Sequence, residues 1–474
     1  MNDSIPKMMA AFRAAGQGHV FRWWDELAPA GRENLLAQLR QVDLKQLAGL
    51  ADGVRTDSFH KTPQGRVERP EFVGVPRTAD DVERRNRARA EGERLLRAGK
   101  VAALTVAGGQ GTRLGYDAPK GVFPIGPVSQ KSLFQIHAER VIATGRRYGR
   151  TLPWYIMTSQ ATDAATREYF RRVDYFGIPA ADVRFFCQRM LPALDHDLRL
   201  VMTARDSILL SPNGHGGTLL ALAECGMLDD MERRGVEQIS YFQVDNPLVP
   251  AADPAFIGFH SLAGAEMSSK ALEKRDPDEP LGAFVRVDGR LVVLEYSDLT
   301  PEEKRRPAPG GALLYGLGSI AIHVLRVDFV RHETAGGLKL PFHLASKSAA
   351  CLNEQGERIE PKGKNVYKFE TFIFDALADT TRSVILEIHR HEEFSPVKNA
   401  QGEDSPESCR RDMSALYASW LAMAGCEVPR DDRGLPCHPV EISPLYALDP
   451  GELAARLPRD LAVDGPIYLD AWKG

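Results

Sequence analysis

The stretch KVAALTVAGGQGTRLGYDAPKG, residues 100–121, runs an apolar segment into a turn that carries five glycines and three cations in all. A dinucleotide-binding turn needs GxGxxG opening a helix, and an acidic residue about twenty positions on. Here the third glycine of that spacing comes one residue late, and the next apolar run, PWYIMTS, ends in Thr and Ser. The phosphate-loop pattern GxxxxGK[ST] is absent as well. What remains is a glycine-lined turn after a buried strand, with Arg113 and Lys120 seven residues apart. Such glycines let a base or phosphate approach the backbone N–H groups closely. Pro119 restricts where Lys120 can point. Cations placed this way suit a triphosphate that must lose pyrophosphate, because they stabilise charge at the attacked phosphorus and on the leaving group. A structural turn with two solvated cations is the alternative.

Outward from this stretch the 474 residues predict two or three domains. A composition of 43% hydrophobic and 26% charged residues is ordinary for a globular chain. The net charge of -4 supplies no basic field for nucleic acid, and no apolar run is long enough to span a membrane. The six cysteines form no CxxC pair and follow no signal peptide, so a reducing, cytoplasmic setting is expected. Cys426, Cys437 and His438 lack the second ligand pair of a zinc knuckle.

Residues 1–98 read as a helical domain followed by a Pro-bearing connector. Residues 99–385 alternate β-rich runs with helical segments, which predicts an α/β domain with a mainly parallel sheet. Asp288-Gly289 between alternating runs predicts an antiparallel hairpin within it. Residues 386–474 read as a small third domain.

Two further motifs bear on chemistry. SPNGHGG, residues 211–217, is a second glycine loop, where Gly214, Gly216 and Gly217 can admit a sugar or base and His215 can donate a hydrogen bond. It can equally be only a turn that leads a helix. YFQVDNPLV places Asp245 and Asn246 just past a buried strand, where α/β sites form and where a carboxylate can hold Mg²⁺. A capping role for Asp245 is the alternative.

AGGQGTRLGYDAPKG resembles the signature loop of the eukaryotic-type UDP-sugar pyrophosphorylases, and KSLFQIHAERV, CQRMLPAL, SPNGHGG, FQVDNPLV, LEYSDL, KFETFIFDAL and EEFSPVKNA follow in the family's order. The N-acetylglucosamine branch is the most similar. The resemblance implies a Rossmann-like, GT-A-type nucleotidyltransferase core that makes UDP-sugar and pyrophosphate from UTP and a hexose 1-phosphate. It implies nucleotide contacts at Ala107, Gly108, Gly109, Gln188, Gly214 and Asp245, with Mg²⁺ at Asp245. It also implies phosphate-directed Arg113, Lys120, Lys368 and Lys398, and sugar contacts at His215, Asn246, Glu295, Tyr296 and Ser319. Two positions depart from the pattern: His215 stands where some acetylglucosamine enzymes carry Asn, and Gly318-Ser319 replaces a Gly-Asn pair. Glucose-specific or broad-specificity activity, and a non-catalytic sugar-nucleotide-binding protein, are the competing readings. Neither nucleic acid nor membrane is an expected partner, and oligomeric state is left open.

Overall fold

Five consecutive buried residues in Val101–Val106, a fully buried Trp154–Thr158 and a nearly fully buried Gln238–Gln243 demand helices on both sides of their sheet. The computed structural model describes residues 4–59, 65–458 and 461–471, and in it these segments form the centre of a ten-stranded sheet. Numbered along the chain, its strands are β1 (Val67–Glu68), β2 (Val101–Val106), β3 (Trp154–Thr158), β4 (Val183–Cys187), β5 (Gln238–Gln243), β6 (Met267–Glu273), β7 (Ala283–Val287), β8 (Arg290–Leu294), β9 (Leu317–Arg326) and β10 (Ile385–Glu387). The order β5-β2-β3-β4 is parallel throughout. Strand β9 adds antiparallel to β5 and also pairs with β6 and β7; β10 lies parallel to β6. This is the expected α/β fold, with a parallel core and antiparallel additions.

Local chemistry accounts for several elements. Strands β7 and β8 form the expected hairpin, with Asp288 at φ 49° and Gly289 at φ 85°, both in the left-handed region that a two-residue turn needs. Helix Leu133–Tyr148 begins at Ser132, whose Oγ accepts from the Gln135 N–H, and stops at left-handed Gly149. Part of the connector becomes β1, paired with Arg286 and Val287; residues 60–64 of that connector lie outside the described residues.

The chain divides into two compact units, one of residues 4–59, 188–218 and 339–375, the other of residues 65–187, 219–338 and 376–471 among those described. Both units are discontinuous in sequence, whereas the sequence reads as three consecutive domains. Among the described residues after 386, Cys409, Met413, Tyr417, Leu421 and Val440 share one apolar cluster with Phe134, Ile156 and Phe242 of the sheet layers. Likewise Phe12, Phe21, Leu35 and Leu47 of the N-terminal helices pack with Leu194, Met202, Ile208 and Phe369. Trp23 is a buried member of that second cluster. No helix among the described residues is long and apolar enough to cross a membrane.

Candidate active site

In the sheet-bearing unit the chain leaves β2 toward β3 on one side, while β5 lies on the other. Loops that diverge from such a switch point leave a crevice at the carboxyl ends of the strands. The 107–121 loop occupies one lip. The Ala107 N–H donates to Met157 O at 2.8 Å, and Ser159 Oγ donates to Gly108 O at 2.7 Å. The two limbs are tied by Gly111 N–H to Ala118 O (2.9 Å) and Lys120 N–H to Gly109 O (3.0 Å). At Gly109 nothing lies within 4 Å of where a side chain would begin, so that face of the backbone is open. Arg113 is exposed on the short helical turn Thr112–Leu114 and forms no ion pair among the described residues. Lys120 sits at the loop's base.

The opposite lip is Asp245. The parallel register of Gln243 with Val106 sets it beside the start of the loop. There Lys120 Nζ lies 3.3 Å from Asp245 Oδ2, with 17% and 12% of the two side chains exposed. Sequence separation gives no hint of this pair, which spans 125 residues. The backbone around Asp245 is held by the Val397 N–H, which donates to Asp245 O at 2.9 Å.

Asn246 is largely committed to structure. Its Nδ2 donates to Glu393 O at 2.7 Å, and its Oδ1 accepts from the Ser395 N–H at 3.2 Å. It thereby fixes the segment that carries Lys398, whose Nζ lies 3.4 Å from Asp404 Oδ2 and 5.4 Å from the centre of the Phe394 ring. Asp245, Asn246, Glu295, Ser319, Ala321 and Lys398 are among the residues lining one cavity of about 150 Å³. The structure thus brings together five of the expected site residues in that cavity. Tyr296 is 38% exposed and outside the lining.

Two features around this cavity do not follow from the sequence pattern. Between the pairs Ser269–His323 and Ala271–Ser319 the β6–β9 register slips, and Ala321 adopts φ 55°. A bulge of this kind re-aims neighbouring side chains, and here Ser319, Ala321 and Ile322 are turned to the cavity wall. Opposite the bulge is Lys270, fully buried, with Nζ 2.6 Å from Asp253 Oδ2 and 2.5 Å from Glu393 Oε2. Burial opposes its charge, but the two carboxylates outweigh that and raise its pKa. An isolated lysine in the apolar run MSSKALE carries no signal of two distant acids.

In the other unit, the SPNGHGG loop packs on residues 370–373. Side chains at Gly214, Gly216 and Gly217 would meet Thr371 O at 2.4 Å, Phe372 N at 2.7 Å and Asn213 Oδ1 at 2.0 Å. The nearest neighbours of these glycines are therefore the chain's own atoms. His215 Nδ1 accepts from the Ile373 N–H at 3.2 Å, which places the ring proton on Nε2. Its ring stacks on Phe372 and meets Phe374 edge-on. Burial, and secondarily the neighbouring His343, pulls its pKa down to about 4, so at neutral pH it is an uncharged donor. Lys368, half-buried on strand Val366–Glu370, has no ion pair among the described residues. Gln188 is buried.

Among the described residues no group of three or more His, Cys, Asp or Glu is arranged to hold a metal. Asp245 offers one hard oxygen ligand on the wall of the 150 Å³ cavity. That fits Mg²⁺, which commonly takes one or two carboxylates and completes its shell with water and phosphate oxygens.

The chain is similar to known proteins along most of its length. The chain is 38% identical over 458 residues to human UDP-N-acetylhexosamine pyrophosphorylase-like protein 1, covering 93% of this chain and 89% of that one. It is 35% identical over 435 residues to the UDP-N-acetylglucosamine pyrophosphorylase of Saccharomyces cerevisiae, covering 88% and 91%. The structure of the UDP-N-acetylglucosamine pyrophosphorylase of Trypanosoma brucei superposes with a TM-score of 0.83 at 25% identity, over 98% and 97% of the two chains. Residues 76–405 match the family described as UTP–glucose-1-phosphate uridylyltransferase, and the chain belongs to that family.

Proposed function

We propose that the protein transfers UMP from UTP to N-acetylglucosamine 1-phosphate, releasing pyrophosphate. The Lys120–Asp245 pair beneath the open 107–121 loop carries this reading, because it puts a cation and a metal-competent carboxylate at one point of the crevice. The sugar assignment draws on the relatives named for N-acetylhexosamine and N-acetylglucosamine.

A phosphate oxygen of the sugar phosphate attacks the α-phosphorus of UTP, and the bond from that phosphorus to the pyrophosphate oxygen breaks. The nucleophile is already an anion, so no general base is needed, and catalysis reduces to alignment and charge neutralisation. Lys120 and Arg113 act on the triphosphate. Lys398 offsets the repulsion between two polyanions, which grows several-fold in a desolvated cleft. The Ala107–Gly109 backbone holds the nucleotide. Glu295 accepts hydrogen bonds from sugar hydroxyls, and Ser319 lines the sugar end. In the other unit, resemblance to the family gives Gln188 a uracil contact, Lys368 a phosphate contact and neutral His215 a sugar contact. Asp245 would hold Mg²⁺, which when bound supplies positive charge to the phosphates. Six thiols, none in a disulfide, support a cytoplasmic setting.

The test is pyrophosphate release from UTP and Mg²⁺ with a panel of sugar 1-phosphates. N-acetylglucosamine 1-phosphate is expected to react fastest. Release with none of them overturns the reading, and faster release with glucose 1-phosphate moves the assignment to that sugar.

A further inference from the structure

A second cavity in the sheet-bearing unit, of about 230 Å³, has four arginines in its lining. Helix Ala79–Arg97 contributes Arg85 and Arg89, and helix Leu133–Tyr148 contributes Arg140 and Arg147. None of the residues assigned to the uridylyl-transfer reaction lines it. Its floor is the segment 250–255.

The four cations are not equally neutralised. Arg147 is held by Asp449 at 2.7 Å and Glu452 at 2.5 Å, and Arg89 by Glu93 at 3.2 Å. Arg85 and Arg140 form no ion pair among the described residues. Arg140 is 7% exposed; its Nη2 donates to Pro247 O at 2.8 Å, while its Nε has no acceptor. A buried guanidinium without a counter-charge is costly, and such a group is stabilised when an anion reaches it. The wall's acids do not reach Arg140, although Asp253 and Glu393 also lie within electrostatic reach of Arg85. Asp253 and Glu393 share Lys270, and Asp449 is taken by Arg147.

We propose that this cavity is a second anion site, taking a small phosphate or phosphomonoester between Arg85 and Arg140. Guanidinium forks match phosphate oxygens in pairs and keep their charge at any working pH. The volume far exceeds the ~30 Å³ share of one water, so a phosphate carrying a small organic group fits. Glu393, in the wall, also receives Asn246 Nδ2 on its carbonyl oxygen, so the site adjoins the support of the Lys398 segment. The proposal goes beyond the transfer reaction and does not depend on which sugar is used.

Calorimetric titration of the full chain with inorganic phosphate and with glycerol 3-phosphate tests it. The reaction crevice is kept out of the measurement in two ways, by saturating UDP-N-acetylglucosamine and separately by a Lys120→Ala background. One equivalent is expected to bind, with affinity reduced about tenfold or more by Arg85→Gln. Arg140→Gln, at the other side of the proposed site, is a second variant should the first fold poorly. Binding of inorganic phosphate alone identifies the free ion as the ligand, and binding of both admits the ester. Absence of binding at millimolar concentrations in both backgrounds overturns the site, as does unchanged affinity in both variants. Because binding is read without turnover, a chain that binds phosphate here yet transfers no UMP would refute the proposed function and leave this site standing.

Discussion

Lys120→Ala is the most direct perturbation of the crevice. The wild-type Nζ lies 3.3 Å from Asp245 Oδ2, and both side chains are more than four-fifths buried. Opposite charges about 4 Å apart interact by ~1 kcal/mol in bulk water and ~4 kcal/mol at an effective dielectric of ~20. Burial this deep puts Lys120 nearer the second figure. Only the part of the interaction that strengthens as pyrophosphate departs accelerates the step. Loss of one preorganised donor costs ~2.7–4 kcal/mol of transition-state stabilisation, which is about 10²–10³ in kcat. The assay is steady-state pyrophosphate release with UTP, Mg²⁺ and N-acetylglucosamine 1-phosphate. A melting curve run alongside shows whether the fold tolerates Asp245 without its partner. A kcat within about threefold of wild type, in a variant that melts normally, refutes the placement of Lys120 at the reacting phosphates.

Asp245→Asn should raise the Mg²⁺ concentration for half-maximal rate by about tenfold or more, and an unmoved Mg²⁺ titration removes the carboxylate from the metal's shell. At Ala321, φ 55° costs a non-glycine residue ~1–2 kcal/mol, so Ala321→Gly should melt no lower than wild type while Ala321→Val melts well below it. Equal melting of the two variants contradicts the bulge. His137 is fully buried, donates from Nε2 to Val244 O at 2.9 Å, and has its pKa pushed by burial down to about 4. Between that value and the ordinary ~6.5 the unfolded chain binds the extra proton, so stability is complete above ~6.5 and is lost as pH falls toward 4, by up to about 3 kcal/mol. Urea unfolding near neutrality and at about pH 5 should show a smaller loss for His137→Gln than for wild type, and equal losses exclude this histidine as a source.

Much of the site was legible where its chemistry is local. The 107–121 loop, the position of Asp245 after a buried strand and the Asp288-Gly289 hairpin each follow from a few adjacent residues, and the structure has all three. Glycine and proline punctuate the chain through their own backbone limits, so nothing distant is needed to read them. The SPNGHGG glycines show the limit of that reasoning. Their spacing predicts a close approach, and the groups that lie closest are the backbone of residues 371–372 and the Asn213 side chain.

What the sequence by itself determined is the class of the sheet, the glycine-rich loop that follows its first long strand, and the residue types gathered around it. Tertiary structure alone decided their use: Lys120 against Asp245, Asn246 committed to Glu393 and Ser395, Lys270 between two carboxylates, His215 neutral against Phe372, and residues 386–471 folded into the sheet's own core. The reason is physical. Periodicity and turn chemistry report the surroundings a residue makes with its chain neighbours. A buried charge or amide is defined by partners more than a hundred residues away, whose arrival depends on how the apolar faces pack.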